Sequence, residues 1–303
     1  FCGSQSNTRG TVKDKANFKV DEDVSALRKA IEGLGTTEKT LIEVLTQRSN
    51  AQRQLIAKAY EKASGRKLVD DLEGDTHGDF EDLLVALVTP PAIYDCQEVI
   101  RAIKGAGTTE STLTEIFASR SNRQIRALSE AYLAGKLTQG TVRKLAAVHD
   151  VMRPIIVKFC ALYEAGEKKW GTDEEKFIDI LCHRSVPQLR QTLIEYKNIS
   201  KKTLQESIES EMSGNLEKVL VAIVKCVKNA PAYLAERLFK SMKGAGTTES
   251  TLTRILVSRS EIDLLDIRAE YKKLFGYTLY SQLESEVSGS YGDALKHLCG
   301  QDD

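Results

Sequence analysis

A single register, repeated four times, constrains this chain more than any other feature. Four segments resemble one another: GLGTTEKTL from Gly33, GAGTTESTL from Gly105, KWGTDEEKF from Lys169 and GAGTTESTL from Gly244. The glycine ahead of each Thr (Gly35, Gly107, Gly171, Gly246) serves as a marker. Thirteen residues after it comes Arg-Ser every time: Arg48-Ser49, Arg120-Ser121, Arg184-Ser185 and Arg259-Ser260. Twelve residues past the arginine stands a tyrosine: Tyr60, Tyr132, Tyr196 and Tyr271. A period of this kind marks a chain built from stacked copies of one supersecondary unit.

The unit reads as helical. Its Gly-x-Gly-Thr segment has the glycines a tight, irregular turn needs, then a Thr suited to cap a helix. Apolar residues follow at helical spacing, as in Leu41, Val44 and Leu45 or Leu252, Ile255 and Leu256. The serine of each Arg-Ser opens a capping box, Ser49 with Gln52, Ser121 with Gln124 and Ser185 with Gln188; in the fourth copy Asp263 replaces the glutamine. Strand-like alternation is hard to find. The expected fold is all-α, with four or five short helices per repeat and apolar faces stacked into a shared core. The expected division is a head at 1–16 and repeats at 17–88, 89–150, 151–227 and 228–303.

Charge narrows the function. Lys plus Arg and Asp plus Glu are 43 each, so the formal net charge is zero. A nucleic-acid binder would show a basic domain or stripe, and a protein held to acidic lipid by standing charge would be basic too. No apolar run reaches 18 residues, the length a membrane-spanning helix requires. The opening FCGSQSNTRG lacks the basic-then-apolar layout of a secretion signal. Six scattered cysteines without CxxC spacing suit reduced thiols in the cytosol, although a pairing such as Cys226 with Cys299 stays open. The four histidines (His77, His149, His183, His297) pair with no Cys or Ser at informative spacing, so no catalytic grouping emerges.

Forty residues after the marker stands an acid in three copies, Asp75, Glu211 and Glu286, each opening a tetrapeptide that ends in glycine: DTHG, EMSG and EVSG. A glycine turn with outward carbonyls and one carboxylate returned to it would suit calcium. That ion takes six to eight oxygens from carbonyls, carboxylates and water. Positions left open could take a lipid phosphoryl oxygen. Helix–helix turns that bind nothing are the plainer reading of any single copy. Neither a GxxxxGK[ST] nor a GxGxxG phosphate loop is present, and there is no DxDxDG calcium loop.

With GxGT, Arg-Ser and [DE]-x-x-G in register, the chain resembles the annexin family from Ala30 to Asp303, apart from one stretch. SMKGAGT, VSRSEIDLLDIR and LCGQDD resemble a fourth annexin repeat, and AGEKKWGTDE a third. The resemblance implies a curved disc of four five-helix repeats with calcium loops on its convex face. It also implies calcium-dependent binding to anionic phospholipid, with recruitment from the cytoplasm to the cytosolic face of membranes and scope for self-association there. Carried over, the ligands are the carbonyls of Ile31, Gly33 and Gly35 with the carboxylate of Asp75. The third repeat would use Gly166, Lys169 and Gly171 with Glu211, and the fourth Met242, Gly244 and Gly246 with Glu286. His77, where the family usually has Ser or Thr, reads as a surface change.

The second repeat departs from the pattern. Its marker lies 64 residues before the next, against 72 and 75 for the other pairs, and Ala147 stands at the acid position. If a helix begins at Gly140, Leu137 takes that position instead; either way the carboxylate is missing. Trp170, the single tryptophan, lies in the third loop; partial burial is the plain reading of a lone Trp, and contact with the membrane interface is the expectation for one in a polar Lys-Lys-Trp-Gly turn. Asp95, Glu98, Arg120 and Arg268 match positions that line a polar channel in the family; structural ion pairing is the other reading. An ion channel and a helical-repeat scaffold for proteins are therefore the competing functions.

Overall fold

The structure is a computed structural model that describes residues 8–33, 37–104, 108–138, 180–181, 184–244 and 246–301. Among the described residues there are fifteen helices and no strand. The first repeat contributes α1 (Val20–Glu32), α2 (Glu38–Thr46), α3 (Asn50–Ser64), α4 (Leu68–Asp75) and α5 (Gly78–Val88). The second contributes α6 (Pro91–Ile103), α7 (Glu110–Ser119) and α8 (Asn122–Thr138). The third has α9 (Val186–Ser200), α10 (Leu204–Glu211) and the first part of α11 (Gly214–Met242). That helix breaks at Asn229 (φ −161, ψ 93), and the Asn229 side chain accepts the Ala232 N–H, capping the part that belongs to the fourth repeat. The fourth repeat continues with α12 (Glu249–Arg259), α13 (Leu264–Phe275), α14 (Leu279–Glu286) and α15 (Gly289–Cys299).

The chain forms two compact units, Phe1–Tyr94 with Leu234–Asp303, and Asp95–Tyr233. In the first unit the repeat register and the core are the same thing. Leu41, Leu45, Ile56, Tyr60, Leu68, Leu72, Leu84 and Leu87 are buried, and so are Leu252, Leu256, Ile267, Tyr271, Leu279, Leu283, Leu295 and Leu298 at the same offsets from their markers. Full burial of each such side chain stabilises by about 1.5–3 kcal/mol before entropy is charged against it. The first and fourth repeats pack α2 against α15 and α5 against α12. The second unit holds two cores, one around Val99, Ile116 and Leu128, the other around Ile208, Leu220 and Val224.

An extended segment ahead of α1 ties both repeats of the first unit together. Val12 N–H donates to Ser260 O at 3.0 Å, Leu265 N–H to Arg9 O at 2.9 Å and Lys15 N–H to Gln52 Oε1 at 3.0 Å. The approach is so close that a Cβ on Gly10 would meet the Glu261 backbone at 2.5 Å.

The Arg-Ser pair has two jobs. Its serine caps: the Ser49/Gln52 and Ser185/Gln188 boxes form, and Ser121 and Gln124 exchange the same bonds. The fourth copy differs from expectation. Ser260 is in the helical region at the end of α12, and the start of α13 moves on to Asp263, whose carboxylate takes Arg259 Nε at 2.7 Å instead of capping. The arginine clamps: Arg48 grips Asp23 with Nε–Oδ2 2.6 Å and Nη2–Oδ1 2.8 Å, and Arg120 grips Asp95 at 2.9 and 2.8 Å. Both pairs are buried, so their worth lies in being complete; removing one partner leaves a desolvated charge.

Asp23→Ala is therefore expected to lower unfolding free energy by about 3–5 kcal/mol. Replacing Asp23 and Arg48 together with apolar residues should cost less than Asp23→Ala alone. Urea denaturation followed by circular dichroism measures both.

Candidate metal centres

The three acids end helices of equal length. Each of α4, α10 and α14 has eight residues, and Asp75, Glu211 and Glu286 are the last of them. The next residue turns extended and donates its N–H four residues back: Thr76 to Leu72 O at 3.0 Å, Met212 to Ile208 O at 2.9 Å, Val287 to Leu283 O at 3.0 Å. Two residues on, Gly78, Gly214 and Gly289 adopt φ of 65°, 74° and 64°. That is the left-handed region, which a side chain disfavours. The tetrapeptide glycine thus marks a backbone reversal that brings the chain straight into the next helix.

All three acids are exposed, and their placement opposes helix stability. A helix C-terminus is the negative end of its dipole and carries carbonyls without helical partners. A carboxylate there adds negative charge to negative potential. Repeated in three copies, the arrangement favours a cation.

The glycine loops are also built alike. Thr37 N–H donates to Ala30 O at 3.0 Å, Thr109 N–H to Ala102 O at 2.9 Å and Thr248 N–H to Ser241 O at 2.8 Å, so one backbone bond closes each loop seven residues back. The N-cap threonine of these helices is the second of each pair, one residue past the Thr of Gly-x-Gly-Thr, and its hydroxyl makes no cap hydrogen bond; it is the backbone that works here. The Ile31 and Met242 side chains are buried beneath their loops, while Gly33, Gly244 and Gly246 are exposed. Gly244 and Gly246 take φ of 123° and 147°. Gly35, and Gly166, Lys169, Trp170 and Gly171 of the third loop, lie outside the described residues.

The first and fourth copies meet. Glu38, just past the first glycine loop, accepts a hydrogen bond from the hydroxyl of Ser290, just past the fourth acid turn. Among the described residues no three His, Cys, Asp or Glu side chains gather around one point. The donors on offer are carbonyls with one carboxylate, a set that fits a hard, oxygen-seeking cation and not a thiolate- or imidazole-seeking one.

The second copy keeps its loop closure. Leu137 lies inside α8, which runs on to Thr138, whereas the equivalent position of the first copy is Gly65, the left-handed end of α3. Leu137 therefore sits on the third helix of its repeat, not at the end of a fourth. Ala147 lies outside the described residues. The residues matched to a channel have other partners. Asp95–Arg120 repeats the Asp23–Arg48 clamp, Glu98 takes Arg101 at 2.9 Å, and Arg268 donates to the Cys299 and Gln301 carbonyls at 3.1 and 2.7 Å.

The sequence model of the Annexin family matches residues 22–87, 94–135, 158–223 and 233–298. The chain belongs to the annexin family. Human annexin A3 is 51% identical over 315 aligned residues that cover 97% of this chain and 98% of that protein. A solved structure of annexin III superposes with a TM-score of 0.86 at 50% identity, covering 97% of this chain and 98% of that one. A calcium-bound structure of annexin (Sm)1 superposes with a TM-score of 0.82 at 28% identity, covering 97% and 94%. Within this annexin the second matched stretch is the short one, and it stops just before the end of α8.

Two glycines flanking Asp75 separate backbone conformation from space, since a Cβ on either meets nothing within 4 Å. Gly78→Ala forces a left-handed alanine and should destabilise by about 1–2 kcal/mol. Gly74→Ala, inside α4, should stabilise by up to about 1 kcal/mol. Thermal unfolding of the calcium-free protein measures both.

Proposed function

We propose that this annexin holds calcium at the first, third and fourth copies of its loop, and that each ion bridges protein oxygens to the phosphate of an anionic lipid. Calcium-dependent phospholipid binding comes with membership of the family. The residues proposed to carry it are the Ile31, Gly33 and Gly35 carbonyls with Asp75, those of Gly166, Lys169 and Gly171 with Glu211, and those of Met242, Gly244 and Gly246 with Glu286. The observation that supports this most is the acid at the negative end of a helix in three copies, each followed by the same left-handed glycine turn. Such a carboxylate serves a cation better than it serves the helix. Three carbonyls and a carboxylate fall short of calcium's six to eight oxygens, which leaves room for phosphate.

Calcium also supplies the charge that the chain lacks. At net zero, the protein has no general attraction to an acidic leaflet. Three ions add six positive charges, each contributing on the order of 1 kcal/mol near such a surface. No helix among the described residues is long and apolar enough to cross a membrane, so attachment through the loops, with recruitment to the cytosolic face, is the proposed mode. Trp170, by its place in the third loop, reports on it.

Co-sedimentation with phosphatidylserine vesicles across a calcium titration tests the reading. Asp75→Asn, Glu211→Gln and Glu286→Gln should each raise the calcium needed for half-maximal binding. The triple variant should lose calcium-dependent binding with its helical circular dichroism intact. Trp170 emission should shift on calcium addition, and further with vesicles. Parental calcium dependence in the triple variant, or binding by the parent that ignores calcium, would overturn the assignment.

A further inference from the structure

The three acid-bearing helices share length and register but differ one turn before the acid, where Asp71, Ser207 and Gln282 stand in the first, third and fourth copies. In the first copy Asp71 turns to its own repeat, taking the Tyr60 hydroxyl at 2.6 Å and Arg66 Nε at 3.0 Å. The fourth copy keeps the tyrosine, as buried Tyr271, but exchanges the acid for an amide. Gln282 turns the other way: its Nε2 donates to Glu286 Oε1 at 2.8 Å.

We propose that Gln282 is a positioning residue for the fourth calcium site, holding Glu286 in the orientation in which it meets the ion. The inference rests on Glu286 being that site's carboxylate. Glu286 is exposed, at the end of an eight-residue helix, and a free glutamate gives up rotamer entropy when it is fixed. A hydrogen bond already made in the empty protein reduces what calcium must order. The amide takes one lone pair of Oε1 and leaves Oε2 open. Being neutral, it does this without the repulsion that a lysine or arginine at position 282 would exert on a divalent ion. Partners behind metal ligands act in this way generally, setting the orientation of the first shell.

Gln–Glu pairs at this spacing are also formed by Gln191 with Glu195 at 2.7 Å and Gln205 with Glu209 at 2.9 Å. What sets Gln282 apart is its acceptor, the terminal acid beside the Gly289 turn. Gln191, on α9, therefore serves as the control for whatever a helix loses with such a pair.

The test is a double-mutant cycle on the full chain with Gln282→Leu, Glu286→Gln and both together, and with Gln191→Leu alongside; leucine preserves helix propensity. Calcium binding is measured by calorimetry without lipid, and the calcium midpoint with phosphatidylserine vesicles. Gln282→Leu should weaken the fourth site by about 3- to 10-fold, below the usual range for partners of metal ligands because the pair is exposed. It should add nothing to Glu286→Gln, and its calcium-free melting temperature should move no more than that of Gln191→Leu, which binds calcium as the parent does. Parental calcium affinity in Gln282→Leu, with Glu286→Gln weakened, overturns the positioning role alone. A further loss in the double variant shows that Gln282 acts elsewhere and overturns it too. No effect of Glu286→Gln removes the site itself, and the inference with it.

Discussion

A helical protein has few carbonyls to give a metal ion. Along each helix they are committed to the ladder, and only the last turn leaves them without helical partners. Calcium asks for six to eight oxygens at once, so such a protein can hold it only where helix ends and turns come together. Each proposed site draws on two such ends. One end comes through the glycine loop that follows α1 or α11, the other through the acid turn that follows α4 or α14, and α1 packs against α4 in the first repeat. Both turns have fixed backbone geometry, through the seven-residue closure by Thr37 or Thr248 and the left-handed Gly78 or Gly289. The buried leucines at matching offsets keep the two turns in register from one copy to the next.

What the sequence makes legible follows from how local each signal is. Helices announce themselves through apolar spacing, and the acid turn through its glycine, because few other residues accept φ near 65°. The clamp of Arg48 on Asp23 could not be read that way: the partners lie 25 residues apart, Asp23 on α1 and Arg48 in the turn between α2 and α3, and no periodicity links them. Thr37 shows a subtler limit. The Gly-x-Gly-Thr pattern pointed to the Thr before it as the cap, yet the helix starts from Thr37, whose backbone N–H does the work, and any residue but proline has one. Ser260 failed as a cap because Arg259 has no Asp 25 residues earlier (Leu234 stands there) and takes Asp263 instead, at the position where the helix begins. Gln282 gave no signal at all until its acceptor could be seen.

The first and fourth copies share a backbone but not its decoration. Between the first two proposed ligand positions of the first loop stands Glu32, held by Arg28 at 3.3 Å and by Arg66 at 2.9 Å. The second and fourth loops carry Lys104 and Lys243 in its place, with the Lys243 ammonium 5.4 Å from the Phe239 ring centre. The second copy closes its loop while its third helix runs on through the point where α3 ends. Repetition secures the fold, through core positions that tolerate little change. Exposed loop positions are freer to vary, and there the four copies diverge.

The most direct measurement is a crystal structure of this chain grown with calcium. Ions are expected at the first, third and fourth copies, each touching its acid, Asp75, Glu211 or Glu286, with no ion at the second. An ion in the second loop, or calcium bound away from these three carboxylates, would contradict the assignment.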